Sequence, residues 1–195
     1  LHLLCEYGGW ISPKMITFWH RYITTVFNRY KGKVKYWLTF NEVNAMLRNP
    51  MIAAGVLHID DPQYKDDAKK SITPKDVWTA YRNILIANAD TVYTGHQIDA
   101  ENRIGAMMTA SGTATYPENC DPDNVFGAYQ TQRMAVFYML DPMATGMIPG
   151  YVKRIWNENP DLDPHFTQRD LAWIKANTID FISFSYYRSA VYAKD

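Results

Sequence analysis

Two short runs end in side chains that could do chemistry. "KYWLTFNE" (residues 35–42) closes an apolar, aromatic stretch on an amide, Asn41, and a carboxylate, Glu42. "TIDFISFSYY" (residues 178–187) closes on two tyrosines, Tyr186 and Tyr187. A carboxylate beside aromatic rings can give a proton to a leaving oxygen and take one back from water. An amide next to it can donate to and accept from a substrate hydroxyl. Tyrosines at the end of another strand can orient a second carboxylate or stack on a sugar ring. Glu42 also suits the plainer role of opening the next segment with Asn41 as its cap, and the residue types alone leave both readings open.

The other candidates are thinner. His58, Asp60 and Asp61 resemble a metal cluster in type, but they lack the spacing of known sites and read as a solvated loop. Asp161, Asp163 and His165 make a similar acidic loop. His20 is expected on the charged face of its helix beside Arg21. Ser111-Gly112 lacks the nucleophile-elbow pattern, and Cys120 has no base near it in sequence.

The elements that must carry these groups can be read from periodicity. Met15, Ile16, Trp19, Tyr22, Ile23, Val26 and Phe27 recur at helical spacing, predicting a helix over 12–30 with Ser12 as N-cap and Pro13 in the first turn. A strand follows over 34–40. The stretch from Glu42 to about Thr73 reads as a long irregular connection, a length that usually serves function. A second long helix is predicted from Pro74, capped by Thr73, to about Ala100. A strand over 102–110, a loop containing "YPENCDP", and a helix from Asp121 to about Leu140 come next. A helical segment near 152–156 precedes a helix over 168–176 capped by Thr167, and the run 178–187 forms the last strand. The strands are short and apolar with little alternation, as in strands covered on both faces. Helices and strands in this alternation predict parallel α/β units. Polar and aromatic strand tips favour a barrel, where catalytic groups sit at the C-terminal ends of strands.

Composition narrows the classes. The 195 residues suffice for a sizeable core in one domain, residues 1–195. Twenty basic residues balance twenty acidic ones, so nothing points to nucleic acid or a membrane surface. Six Trp and fourteen Tyr suit both a well-filled core and the binding of flat polar rings. Cys5 and Cys120 form no metal-ligand spacing and are expected as free thiols. With no apolar run of transmembrane length and no basic leader, the expected compartment is the cytoplasm. The chain starts at Leu1 and stops in "YRSAVYAKD", so a piece of something longer is expected.

The segment "WLTFNE" resembles the Thr-Phe-Asn-Glu signature on the fourth barrel strand of glycoside hydrolase family 1, which includes β-glucosidases and 6-phospho-β-glucosidases. "EYGGW" (6–10), "RYKGKVKYW", "IGAMM", "YPENCDPDNV" and "DFISFSYYRS" resemble further segments of that family in the same order over essentially the whole chain. The resemblance implies an α/β fold that is part of a (β/α)₈ TIM barrel, running from about the third helix to the sixth strand. It implies retaining hydrolysis of a β-glycoside without a cofactor or metal. By analogy Glu42 is the general acid/base, Asn41 binds the sugar 2-hydroxyl, and Tyr187 hydrogen-bonds the nucleophile. "SYY" with Ser185, "NEVN" (41–44) and "YPENCDP" resemble the 6-phospho-β-glucosidase branch, so a 6-phospho-β-glucoside is the expected substrate.

The family's nucleophile sits in a Thr-Glu-Asn-Gly-like motif, and residues 1–195 contain none. Nor do they hold the expected phosphate-binding loop. A full barrel takes about 250 residues or more. The isolated chain is therefore expected to be inactive, with the remainder of the barrel or a second copy as its expected partner. Two alternatives stand beside this: a fragment of a plain β-glucosidase or β-galactosidase, and a non-catalytic carbohydrate-binding remnant. An unrelated α/β barrel enzyme would require the multi-segment match to be chance.

Overall fold

The computed structural model describes residues 2–56, 72–110 and 114–194. Helix α1 (His2–Tyr7) leads into α2 (Lys14–Tyr30), then strand β1 (Tyr36–Asn41). A 3-10 turn (Val43–Leu47) and the short α3 (Pro50–Ala54) come next. The long α4 (Pro74–Ile98) precedes β2 (Arg103–Thr109) and β3 (Ala114–Pro117). Helix α5 (Pro122–Gln132) runs through a π turn (Arg133–Phe137) into α6 (Tyr138–Thr145). Helices α7 (Gly150–Glu158) and α8 (Gln168–Ala176) lead to β4 (Phe181–Ser185) and β5 (Ser189–Tyr192).

Strands β1, β2 and β4 form one parallel sheet in that order. Successive strands of this sheet lie side by side, with helices in each crossover. That is the order of a barrel sector, not of a doubly wound sheet. A second, two-stranded parallel sheet pairs β3 with β5. This pairing departs from the expected loop at 114–117. "ATYP" is short and ends in a proline, which a strand tolerates at its end, so nothing local announces it.

Helices α2 and α4 cover one face of the sheet. Ile104 of β2 packs with Ile23, Phe27 and Val92. The approach is close: a Cβ on Gly95 of α4 would lie 2.8 Å from the Ile104 side chain. Trp78, Tyr81, Tyr138 and Trp156 form an aromatic centre between the helices, with Tyr81 and Tyr138 stacked at 5.8 Å. Helix starts obey the expected chemistry. Thr73 with Asp76, and Thr167 with Asp170, each form a reciprocal capping box. At α2 the capping position is Pro13, one residue later than expected, and Ser12 Oγ accepts from the Lys14 N–H at 3.3 Å.

Only β2 is covered as the sequence leads one to expect. Tyr36 (66% exposed) and Leu38 of β1 are open on the face away from the helices. Leu38 registers with Gly105 and that with Phe181, so Ile182 and Phe184 belong to the helix-bearing face; they too are exposed. A cavity of about 350 Å³ opens there between Phe184 and Ile182 on one side and Val136, Phe137 and Leu140 on the other. The strands carry the apolar sequence of a two-sided burial that these residues alone do not supply. Among the described residues no helix is long and apolar enough to cross a membrane.

Candidate active site

The site starts where β1 stops. Asn41 is the last residue of the strand and pairs with Met107 of β2; its side chain is exposed. Glu42 then turns the chain with φ 51° and ψ 30°. Only Glu42 and His165 among the described non-glycine residues have positive φ. Such a conformation costs an L-residue about 1–2 kcal/mol and persists where the surroundings enforce it. Here the Glu42 N–H donates to the Met107 carbonyl (2.9 Å), and the Glu42 carbonyl accepts from Ala45 (3.0 Å). The turn aims the side chain inward: Glu42 Oε1 is shielded from solvent and has no protein hydrogen-bond partner. A shielded carboxylate oxygen without a donor is a departure from the rule that buried polar atoms are paired, and it marks this position as one to explain.

Aromatic packing stands behind this turn. Phe40 stacks on Trp19 at 4.8 Å and meets Trp10 edge-on at 5.4 Å. Trp10 is delivered by Gly8 and Gly9, at φ 74° and 60°. A Cβ on Gly9 would lie 1.7 Å from the Gly55 carbonyl oxygen, and Trp10 N–H donates to that same oxygen at 3.2 Å. The "YGG" of the sequence thus has a steric reason.

Asn44, two residues after Glu42, adjoins the candidate site, and the sequence marks it only as part of "NEVN", with no role of its own. It is 2% exposed. Its Nδ2 donates to the carbonyls of Thr109 (2.9 Å) and Ala135 (2.8 Å), and its Oδ1 accepts from the Thr109 N–H (2.9 Å). Its own carbonyl accepts from Tyr138 Oη at 2.9 Å, and Tyr81 Oη donates to the Tyr138 carbonyl at 2.7 Å. Burial pushes both phenols well above their ordinary range, so each keeps its proton and serves as a donor.

The last strand of the main sheet ends at Ser185, so the tyrosine pair lies in the connection to β5 and not in a strand reaching residue 187. Tyr186 Oη is hydrogen-bonded to Ser189 Oγ. Tyr187 is 72% exposed. Because β1, β2 and β4 are parallel, Asn41, Glu42 and Tyr187 share the C-terminal edge of the sheet. Strands β1 and β4 are two strand spacings apart, roughly 10 Å. The structure places the three residues on one edge but shows no direct contact among them.

The remaining candidates separate cleanly. His58, Asp60, Asp61 and Ser111-Gly112 lie outside the described residues. His165 N–H donates to Asp163 Oδ1 at 2.7 Å, a local turn. Among the described residues no group of three potential metal ligands occurs. His20 is paired with Asp90 at 2.9 Å, and Cys5 and Cys120 are free thiols.

Comparison with known proteins converges on one family. Residues 2–195 match the family model described as Glycosyl hydrolase family 1. All 195 residues align at 37% identity with the Aryl-phospho-beta-D-glucosidase BglH of Bacillus subtilis, covering 39% of that protein. They align equally, at 37%, with a 6-phospho-beta-glucosidase of Clostridium longisporum, covering 38% of it. The AHE enzyme from Alicyclobacillus herbarius superposes with a TM-score of 0.73 at 20% identity, over the whole of this chain and 41% of that one. The virulence factor SghA from Agrobacterium tumefaciens superposes at 0.71 and 19% identity, over 94% of this chain and 37% of that one. The fold is therefore a part of a (β/α)₈ barrel, and the chain spans about two fifths of the length of the curated relatives it matches. With its family model matched from residue 2 to residue 195, this chain belongs to glycosyl hydrolase family 1.

Proposed function

We propose that this chain contributes the proton-transferring half of a retaining β-glucosidase that acts on 6-phosphorylated β-glucosides. Glu42 protonates the leaving oxygen and then activates water. Asn41 holds the sugar 2-hydroxyl, and Tyr187 orients the nucleophilic carboxylate. The observation that carries the reading is the left-handed Glu42 at the C-terminal edge of the sheet, with a shielded oxygen that no protein group satisfies. Support for the phosphorylated substrate is the activity named for the relatives at 35–38% identity.

A retaining mechanism needs a second carboxylate about 5 Å from the first. On this reading it comes from a partner segment that completes the barrel by pairing with the open edges of β1 and β4, and residues 1–195, one domain, are inactive alone. The free thiols fit a cytoplasmic setting.

The test is hydrolysis of an aryl β-glucoside and its 6-phosphate by the chain alone and by the chain joined to the flanking strands of a family relative. The expected result is no turnover alone, turnover of the 6-phosphate when joined, and a loss on the order of 10²–10⁴-fold in Glu42→Gln. Full activity of joined Glu42→Gln would remove Glu42 from the mechanism. A preference for the unphosphorylated glucoside would make the enzyme a plain β-glucosidase.

A further inference from the structure

We propose that Asn44 is the positioning residue for Glu42: its side-chain amide clamps the turn after Glu42 to the end of β2 and to the π turn, and so enforces the left-handed Glu42 backbone. The proposal rests on the reading of Glu42 as the acid/base and gives that site its missing support.

The clamp is chemically selective. Two carbonyls, from Thr109 and Ala135, face Nδ2, while one N–H, from Thr109, faces Oδ1. Both amide hydrogens are used, and the oxygen is matched to a donor, so the amide orientation is dictated by its partners. A carboxylate at position 44 would set an oxygen against two carbonyl oxygens. An apolar side chain would take a partner away from two buried backbone groups of Thr109 and from the half-buried Ala135 carbonyl. Asparagine alone fits in length and in polarity.

The clamp also ties down three elements at once. Thr109 is the last residue of β2, and β2 carries the Met107 carbonyl that receives the Glu42 N–H. Ala135 lies in the π turn, a rare feature that collects at functional sites. From the adjoining helix Tyr138 holds the Asn44 main-chain carbonyl, and Tyr81 of α4 holds Tyr138 in turn. Residue 44 is thereby held from its side chain and from its backbone. Met107 holds the N–H of Glu42, and this network holds the residue two places after it. The left-handed Glu42 backbone lies between these two anchors.

The test reads Glu42 itself. In the 195-residue chain, the Glu42 carbon shifts and the HN–Hα coupling report its φ. Wild type should give the left-handed signature. Asn44→Asp and Asn44→Ala should lose it while signals from Ile104, Ala106 and Val92 stay in place, an outcome that mere support of the fold would not produce. If both variants fail to fold, Tyr138→Phe decides, because it removes only the hydroxyl on the Asn44 carbonyl; a shifted Glu42 signature sustains the clamp. An unchanged signature in the folded variants overturns it. The joined enzyme supplies the second readout. Asn44→Asp should slow aryl glucosides with poor leaving groups on the order of 10²-fold and leave good ones, which need no proton, within a few-fold. A lost signature with unchanged hydrolysis keeps the clamp and refutes Glu42 as the acid. A retained signature refutes the clamp whatever the hydrolysis.

Discussion

The left-handed backbone at Glu42 makes a prediction about stability that has an unusual sign. Compare Glu42→Gly with Glu42→Ala. Both remove the shielded carboxylate oxygen, so that contribution cancels between them. Alanine keeps the cost of φ 51°, about 1–2 kcal/mol, and glycine escapes it. Glycine loses more chain entropy on folding, about 0.5–1 kcal/mol relative to alanine. The glycine variant should therefore be the more stable by about 0–1.5 kcal/mol. The reference site is Lys153, exposed within α7, where helix propensity puts alanine ahead of glycine by about 1 kcal/mol. The two Gly-minus-Ala differences should differ by roughly 1–2.5 kcal/mol in all. Urea unfolding of the four variants measures this directly, and each kcal/mol should also move Tm by about 2–4 °C in a chain of this size. If alanine exceeds glycine at position 42 by as much as it does at position 153, the backbone at 42 is unstrained and the surroundings do not enforce it.

Two further outcomes concern the start of α8 and the glycine turn before Trp10. Burial raises the Asp170 carboxyl, but the Thr167 amide and the Arg82 guanidinium (2.6 and 3.1 Å) together hold it below its usual range. A lowered folded pKa gives stability that is present above the unfolded value and lost as pH falls through the folded one. Asp170→Asn should thus cost about 1.5–3 kcal/mol near neutral pH, with the gap to wild type closing in acid, as urea titrations at the two ends would show. Gly9→Ala sets a Cβ against the Gly55 oxygen at positive φ; combined strain and overlap should cost about 2–4 kcal/mol by the same assay. A neutral Gly9→Ala would mean the Gly9–Val56 bridge is loose.

What the sequence disclosed was local. Thr73 and Thr167 each precede an aspartate by three residues, and the caps form where that spacing puts them. The apolar run ending at Thr109 gave β2 within a residue of each end, because its burial on both faces matches its composition. Asn41 and Glu42 stand at a strand tip because the aromatic run before them is a strand. The features that stayed hidden depend on distant partners. The "ATYP" strand exists only through β5, some seventy residues away. Asn44 meets partners 65 and 91 residues distant, and its motif hinted at family and not at mechanics. The π turn has no composition of its own. Tyr187 fell beyond its strand because aromatic residues continue past Ser185 without a breaker.

The π turn has one more effect, on phase. A π turn amounts to one extra residue in an otherwise α-helical run. Each helical residue advances the side-chain direction by about 100°. Everything downstream is therefore rotated by that angle relative to α5. In that rotated setting Tyr138, Met139 and Met143 are buried in the core. A single-residue deletion between 133 and 137 would make the helix more regular, yet it would swing Tyr138 off Tyr81 and carry its hydroxyl away from Asn44. The irregular turn acts as a phase shifter between a helix that serves the β3–β5 edge and a helix that serves the core, so an insertion or deletion here is read out at the mouth of the barrel.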